Sequence, residues 1–229
     1  MESTPVLITE HTKSVSRGFT LIEMVVVLAI IAIITVIAVT GQSTFNRTLL
    51  LTDTVYSVAF SAREAQSFGL GSRKFGSVQN AGYGLHFSSV TPNTYTLFAD
   101  TSNVLPAPTN PPCPVGTVGA PDQKPGNCRF EATDGTVNAY TFTRGFKIQR
   151  FCGKTGGTSF CSTDAAPLTT LDAVFTRPNT STTISGLVNG VALFSFSCAE
   201  VTIADATNQN SKTIRISSLG EVAINQSCP

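Results

Sequence analysis

Residues Ser14 to Thr40 read SVSRGFTLIEMVVVLAIIAIITVIAVT, and the rest of the chain is interpreted from them. A polar lead containing Lys13 and Arg17 stops at Gly18. Then follow Phe19, Thr20, Leu21, Ile22 and one acidic residue, Glu23, before an apolar run from Met24 to Val39 that is relieved only by Thr35. Phe19 to Thr40 is 22 residues, which as a helix extends about 33 Å, enough to cross a hydrocarbon core of about 30 Å. The basic residues lie on the N-terminal side, so that side is expected to stay in the cytoplasm and the remainder to be exported.

Glu23 does not suit a plain anchor. An acidic side chain at the centre of a membrane helix costs about 2.5–3.5 kcal/mol on insertion scales, and less towards an end. A secretory signal peptide would place a small-residue cleavage site after the apolar core. Ala38-Val39-Thr40 is a poor version of such a site and leaves Glu23 unexplained. Cleavage after Gly18 explains more, because the new α-amino group of Phe19 would lie four residues from Glu23. Amine and carboxylate carry opposite charges at neutral pH. Within one helix they meet through the helix dipole; between two chains they could pair across a bundle and set the stagger of one subunit on the next.

Arg17-Gly18-Phe19-Thr20-Leu21-Ile22-Glu23 resembles the cleavage and methylation signal of type IV prepilins and type II secretion pseudopilins. The resemblance implies that a membrane-embedded prepilin peptidase cuts after Gly18 and that Phe19 becomes N-methylated. It implies that Glu23 docks onto a neighbouring subunit's amine during assembly. The partners implied are other pilin or pseudopilin subunits through the N-terminal helix bundle, an inner-membrane assembly platform, and membrane lipid before assembly. Location follows: a single pass through the inner membrane with the C-terminal part outside the cytoplasm, and a periplasmic or extracellular fibre after assembly.

Removing residues 1–18 leaves 211 of the 229 residues, enough for one exported domain with a substantial core. Charged residues make up 13% and the net charge is +1, which gives no basic excess for nucleic acid and no acidic excess for cations. All six cysteines, Cys113, Cys128, Cys152, Cys161, Cys198 and Cys228, fall in the exported part. An even count there favours disulfides over a metal site, because no CxxC pair occurs and His86 is the only histidine after the lead. The sequential set, Cys113–Cys128, Cys152–Cys161 and Cys198–Cys228, is expected.

Beyond Thr40 the helix is expected to continue. Phe45, Leu49, Thr52, Val55 or Tyr56, Ala59, Ala62 and Ala65 recur at spacings of three and four and form a stripe suited to covering a sheet. Gly69-Leu70-Gly71 ends it, giving about 50 residues in all. The expected organisation is a leader at 1–18, a transmembrane half-helix at 19–40, an amphipathic half-helix at 41–68 and an exported β-rich domain at 69–229. Alternating strands are expected at Tyr83–Phe87, Thr94–Ala99, Thr136–Phe142, Phe146–Phe151, Leu171–Phe175 and Thr182–Ser185. Val191–Cys198 is expected to pair with Val201–Ile203, and Thr213–Ser217 with Val222–Ile224 around Gly220. Val104–Asn127, with seven prolines, and Gly153–Pro167 are expected loops.

The fold expected is therefore α+β, a long N-terminal helix packed on an antiparallel β-sheet or sandwich, as in pilins. The tail pattern Lys212-Thr-Ile-Arg-Ile-Ser217 with Leu219-Gly220 is similar to GspH/FimT-type minor pilins and pseudopilins. Major pilins often carry a proline just beyond the span; residues 41–70 hold none, which points to a minor subunit.

No catalytic constellation, cofactor site or metal site is expected. His86 lies in an alternating strand, no GxSxG occurs, and the aspartates lack EF-hand spacing. Gly153-Lys-Thr-Gly156 lacks Walker spacing. Asp172 and Glu200 could be invoked for sugar hydrolysis, but nothing in the sequence brings them together. The alternative to a structural subunit is a membrane-anchored or fibre-tip binding module, an adhesin or DNA-uptake receptor. Arg144, Lys147 and Arg150 are its basic residues, with Arg144 and Arg150 expected on one strand face and Lys147 on the other, which concentrates no patch for DNA.

Overall fold

The computed structural model describes residues 18–71, 73–102, 126–177, 180–194 and 196–229. One helix, α1 (Leu21–Leu70, 50 residues), is followed by eleven strands in two antiparallel sheets. The chain divides into two compact units, Met1–Phe45 and Asn46–Pro229, with α1 contributing to both.

In the first unit, α1 begins after Thr20. Its backbone carbonyl accepts from Met24 N–H (3.2 Å) and its hydroxyl from Glu23 N–H (3.3 Å), so Thr20 serves as the N-cap. Leu21–Val39 has a mean hydropathy of 3.0 and none of its residues is buried. Thr35 is tolerated in this run because its hydroxyl donates to the Ile31 carbonyl at 2.7 Å, one turn back.

In the second unit, α1 buries Leu51, Val55, Val58, Ala62 and Ala65, spaced four, three, four and three apart. Val55, Ala59, Ala62 and Ala65 of the expected stripe are buried, and the departure is at its start. Leu49 is exposed and Leu51 takes the inward place, whereas Tyr56 and Phe60 point to solvent. The helix ends where Gly71 N–H donates to Ser67 O (2.9 Å). Gly69 is needed there for close approach, because a β-carbon on it would lie 2.3 Å from the Phe175 carbonyl oxygen.

The first sheet comprises β1 (Gly82–Ser88), β2 (Thr94–Asp100), β3 (Gly135–Thr141), β6 (Leu168–Phe175), β7 (Thr182–Val188) and β8 (Val191–Phe194), in the order β3-β2-β1-β6-β7-β8. The second contains β4 (Lys147–Thr155), β5 (Thr158–Cys161), β9 (Cys198–Ala204), β10 (Ser211–Ser217) and β11 (Val222–Ile224), in the order β11-β10-β9-β4-β5. Tyr83, Leu85, Phe87, Leu171 and Phe175 from one sheet and Phe151, Val201, Ile203, Ile214 and Ile216 from the other join the helix stripe in one core. The α+β class with a long helix on antiparallel sheets is thus the one expected from the sequence.

Three local expectations are corrected. Gly153–Pro167 is not all loop: β4 runs to Thr155, Gly156 and Gly157 turn with φ of 53° and 86°, and β5 returns with Thr155 opposite Thr158. Two adjacent glycines with positive φ match the right-handed twist of a two-residue hairpin. Val191–Cys198 is not one strand paired with Val201–Ile203. β8 pairs with β7 in the first sheet, and Cys198 begins β9, which contains Val201–Ile203 and lies between β10 and β4 in the second. The chain therefore changes sheets between Phe194 and Cys198. Arg144 lies in no strand, and a bulge between Ile148 and Arg150 cancels the odd spacing. Ile148 and Phe151 stay buried while Lys147 and Arg150 share the outward face.

The outer face of the first sheet is covered by residues 126–134, whose Cys128 and Phe130 pack on Phe98 and Val174. Across the second sheet the C-terminal residues are tied down: a disulfide joins Cys198 to Cys228, Cys228 N–H donates to Glu200 Oε1, and Lys154 Nζ donates to Cys228 O (3.0 Å). A further disulfide joins Cys152 and Cys161, which face each other across β4 and β5 with a Cα separation of 4.1 Å. Cys128 is disulfide-bonded, and Cys113, its expected partner, lies outside the described residues.

Candidate processing and assembly site

Gly18, Phe19 and Thr20 precede α1 outside any helix or strand, and all three are exposed. A β-carbon on Gly18 would meet nothing within 4 Å, so the Gly18–Phe19 peptide bond is open to approach. Phe19 is 73% exposed, and Leu21 and Ile22 are exposed beside it. Glu23 is the acidic residue of the first helical turn, where the helix dipole favours negative charge. It is also the only charged residue between Leu21 and Val39. Among the described residues its carboxylate forms no ion pair.

The hydroxyl of Thr20 reveals a second duty that the charge argument overlooked. Thr20-Leu-Ile-Glu23 has the spacing of a capping box, and the Thr20 side chain does accept the Glu23 amide. The signal was legible as a Thr three residues before a Glu at the head of an apolar run. This bond uses only the Glu23 backbone amide and would serve any helix, so it does not account for an acid at this position.

A helix that is apolar on every side and buried on none must be covered by lipid or by other helices. From Leu21 to Val39, 19 residues, the rise is about 28 Å, the thickness of a hydrocarbon core. Residues 13–39 match the family model described as Prokaryotic N-terminal methylation motif. The chain carries a prepilin-type N-terminus. The matched segment holds Lys13, Arg17, Gly18, Phe19 and Glu23 together with the whole span, and it supports membership of the type IV pilin and pseudopilin family. Searches of curated proteins and of solved structures each returned no significant match. The motif supports processing by prepilin peptidase, and the apolar N-terminal helix is consistent with membrane anchoring.

In the second unit, His86 and Asp172 meet while Glu200 lies apart from them. His86 Nδ1 lies 2.6 Å from Asp172 Oδ1, its partner across β1 and β6, and its ring packs on Phe130 at 4.4 Å. Asp172 and Glu200 belong to different sheets, and Glu200 accepts the Cys228 amide.

A buried acidic group escaped the sequence reading because its members are distant in the chain. Asp100 accepts from Asn127 N–H (3.0 Å) and Cys128 N–H (2.7 Å). Asp134 accepts from Thr101 N–H (2.9 Å), Ser102 N–H (2.8 Å) and Glu131 N–H (2.8 Å). The two carboxylates thus fasten the backbone on both flanks of residues 103–125. Burial, then the neighbouring Asp134, holds the Asp100 carboxyl well above the usual range. Burial pushes Glu131 up to about 7, with Asp134 adding to the effect while Asn127 and Arg129 oppose it.

The sign of the resulting pH dependence follows from Glu131. The folded protein keeps a proton there that an ordinary carboxyl, with a reference value of 4.5, has released. Its contribution to stability is full below that value and is lost as the pH rises through about 7. Glu131→Gln retains an acceptor for Asn127 Nδ2 (2.9 Å in the parent) but cannot ionise. The variant is expected to melt higher than the parent near pH ~8 and to lose part of the decline above pH ~5 in thermal unfolding. A variant that melts no higher near pH ~8 would show that the charged form costs nothing in place.

Proposed function

We propose that this chain is a minor pilin or pseudopilin, made as a preprotein and assembled into a type IV pilus or a type II secretion pseudopilus. The observation that carries the reading is one carboxylate, Glu23, at the head of an otherwise apolar span within the methylation motif. Residues 1–18 serve as leader, 19–40 as the membrane half-helix, 41–68 as the amphipathic half-helix, and 69–229 as the exported domain. Prepilin peptidase hydrolyses the Gly18–Phe19 bond at the cytoplasmic face, and the freed Phe19 amine is methylated. An assembly platform then draws the subunit out of the bilayer. Packing of the span against equivalent helices replaces its lipid contacts, and Glu23 meets the N-terminal amine of the adjoining subunit. A polar pair inside such a bundle has only one favourable alignment, so it sets the register.

The exposed side chains of Leu21–Val39 support this reading, since they offer a bundle surface all round. So do Tyr56 and Phe60, exposed on the second half of α1 and lining an apolar groove with Val222 and Ile224. The disulfides suit the oxidising compartment outside the cytoplasm. Mass spectrometry of the mature polypeptide tests the reading directly. The expected terminus is N-methylated Phe19, and Gly18→Val is expected to retain the leader. An intact leader on the natural chain, or a terminus created after Thr40, would overturn the assignment.

A further inference from the structure

We infer that Arg47 and Arg144 form a docking site for acidic phospholipid headgroups, used while the subunit resides in the membrane. Arg47, Leu50, Arg144, Phe146, Asp205 and Thr207 line a pocket of about 290 Å³ in the second unit. Both arginines are exposed, and neither forms an ion pair among the described residues. Phe146 is buried at the pocket wall and Leu50 half-buried, giving an apolar lining beneath two guanidinium groups. A phosphodiester carried on an acyl-glycerol fits that combination: guanidinium forks match phosphate oxygens, and the lining accepts the apolar part.

Asp205 is the one acid on the wall. Its carboxylate already accepts from Thr207 N–H, Gln209 N–H and Asn210 Nδ2 (3.1, 3.1 and 2.8 Å). Its oxygens are therefore engaged within their own loop and are not pairing with the arginines.

Arg144 provides a second observation. It has φ of 59°, in the left-handed region, followed by Gly145 at 78°. Of the six non-glycine residues with positive φ among the described residues, four are asparagines, the side chain that best tolerates this region, and another, Cys128, is held by a disulfide. Asparagine or glycine would serve the turn better at position 144. An arginine kept in a strained position points to a use for its charge.

The chain itself brings the membrane within range. Arg47 lies eight residues beyond Val39, the end of the span, in the same helix. The rise over that stretch is about 12 Å, against a headgroup layer of about 5–8 Å on each side of the core. Each cation near an anionic bilayer surface favours binding about fivefold. The inference rests on the span being a membrane anchor; it does not depend on leader cleavage or fibre assembly.

The test places the full chain in nanodiscs of phosphatidylcholine alone, or with about 30% phosphatidylglycerol, and follows amide exchange over residues 143–147 and 204–208. Exchange is expected to slow several-fold in the anionic discs and to recover as salt rises from about 50 to about 500 mM. Combining Arg47→Gln with Arg144→Asn should abolish the difference between discs without lowering the melting temperature, because asparagine suits the turn. Equal exchange in both discs would overturn the inference. So would equal protection by glycerol phosphate in neutral discs, which would identify a soluble anion as the ligand. A chain that fails to stay in the discs would refute the anchor and the lipid site together, whereas a wrong cleavage assignment would show only in the N-terminal mass.

Discussion

Replacing Glu23 with alanine is expected to leave cleavage after Gly18 intact and to stop entry of the subunit into fibres. Removing one partner of a buried ion pair costs about 3–5 kcal/mol, because the other charge is left unpaired. At 1.4 kcal/mol per factor of ten, a loss of that size lowers incorporation at least about a hundredfold. The variant should remain in the membrane, where an unbroken apolar helix is more comfortable than one carrying an acid. Sheared fibres probed for the subunit, with the N-terminal mass measured on the membrane pool, provide both readouts. Capping makes a competing prediction for the same residue. The Thr20 hydroxyl accepts the backbone amide of Glu23 and not its side chain, so this bond survives in Glu23→Ala. Thr20→Val should cost the helix about 1 kcal/mol and still assemble. Glu23→Gln, which keeps the side-chain reach and loses the charge, should fail like alanine. Normal incorporation of Glu23→Ala would end the pairing account.

Deleting the Cys198–Cys228 disulfide by substituting alanine at both positions is expected to destabilise the β-rich unit more than any other single crosslink change among the described pairs. The sequence separation is 30, for which the chain-entropy relation gives about 3.6 kcal/mol. For a domain of this size that lowers the melting temperature by about 7–15 °C. The bond also brings the Cys228 amide to Glu200 and its carbonyl to Lys154, so both groups lose their positioned partners when the tail lifts. Deleting Cys152–Cys161, with a separation of 9, should cost about 2.6 kcal/mol by the same relation. The β4–β5 hairpin already holds those two residues opposite each other, which reduces the loss further. Thermal unfolding of the full chain in detergent compares the two variants. An equal or smaller effect at Cys198–Cys228 would show that the tail is held by its hydrogen bonds and not by the crosslink.

The N-terminal motif was legible, the Thr20 cap apart, because Gly18, Phe19 and Glu23 lie within six residues and their chemistry is unusual where it stands. A glycine, a free-amine candidate and an acid in front of an uninterrupted apolar span leave few physical explanations. The helix length was legible for a related reason, since Gly69 to Gly71 marks its end. Sheet membership was harder to read. Val191-Ala-Leu-Phe alternates nowhere and runs directly towards Cys198, so nothing local reports that the chain changes sheets between them. The Arg150 face was misassigned because a bulge adds one residue to a period of two. Gly156-Gly157 was a readable hairpin signal that the surrounding Gly- and Ser-rich composition concealed. The acids at Asp100, Glu131 and Asp134 join through folding alone, and no spacing rule could have linked them to Asn127 and Cys128.

The change of sheets after β8 governs how this domain can be made. β4 and β5 come between β3 and β6 in the chain but belong to the other sheet, where β4 must wait for β9. Neither layer is encoded by a continuous run of sequence. A nascent chain that ends before Cys198 has no partner for the inner edge of β4, although all six strands of the first sheet are already present. Completion of the second layer is then gated by the arrival of residues 198–229, the last 32 of the 229 residues.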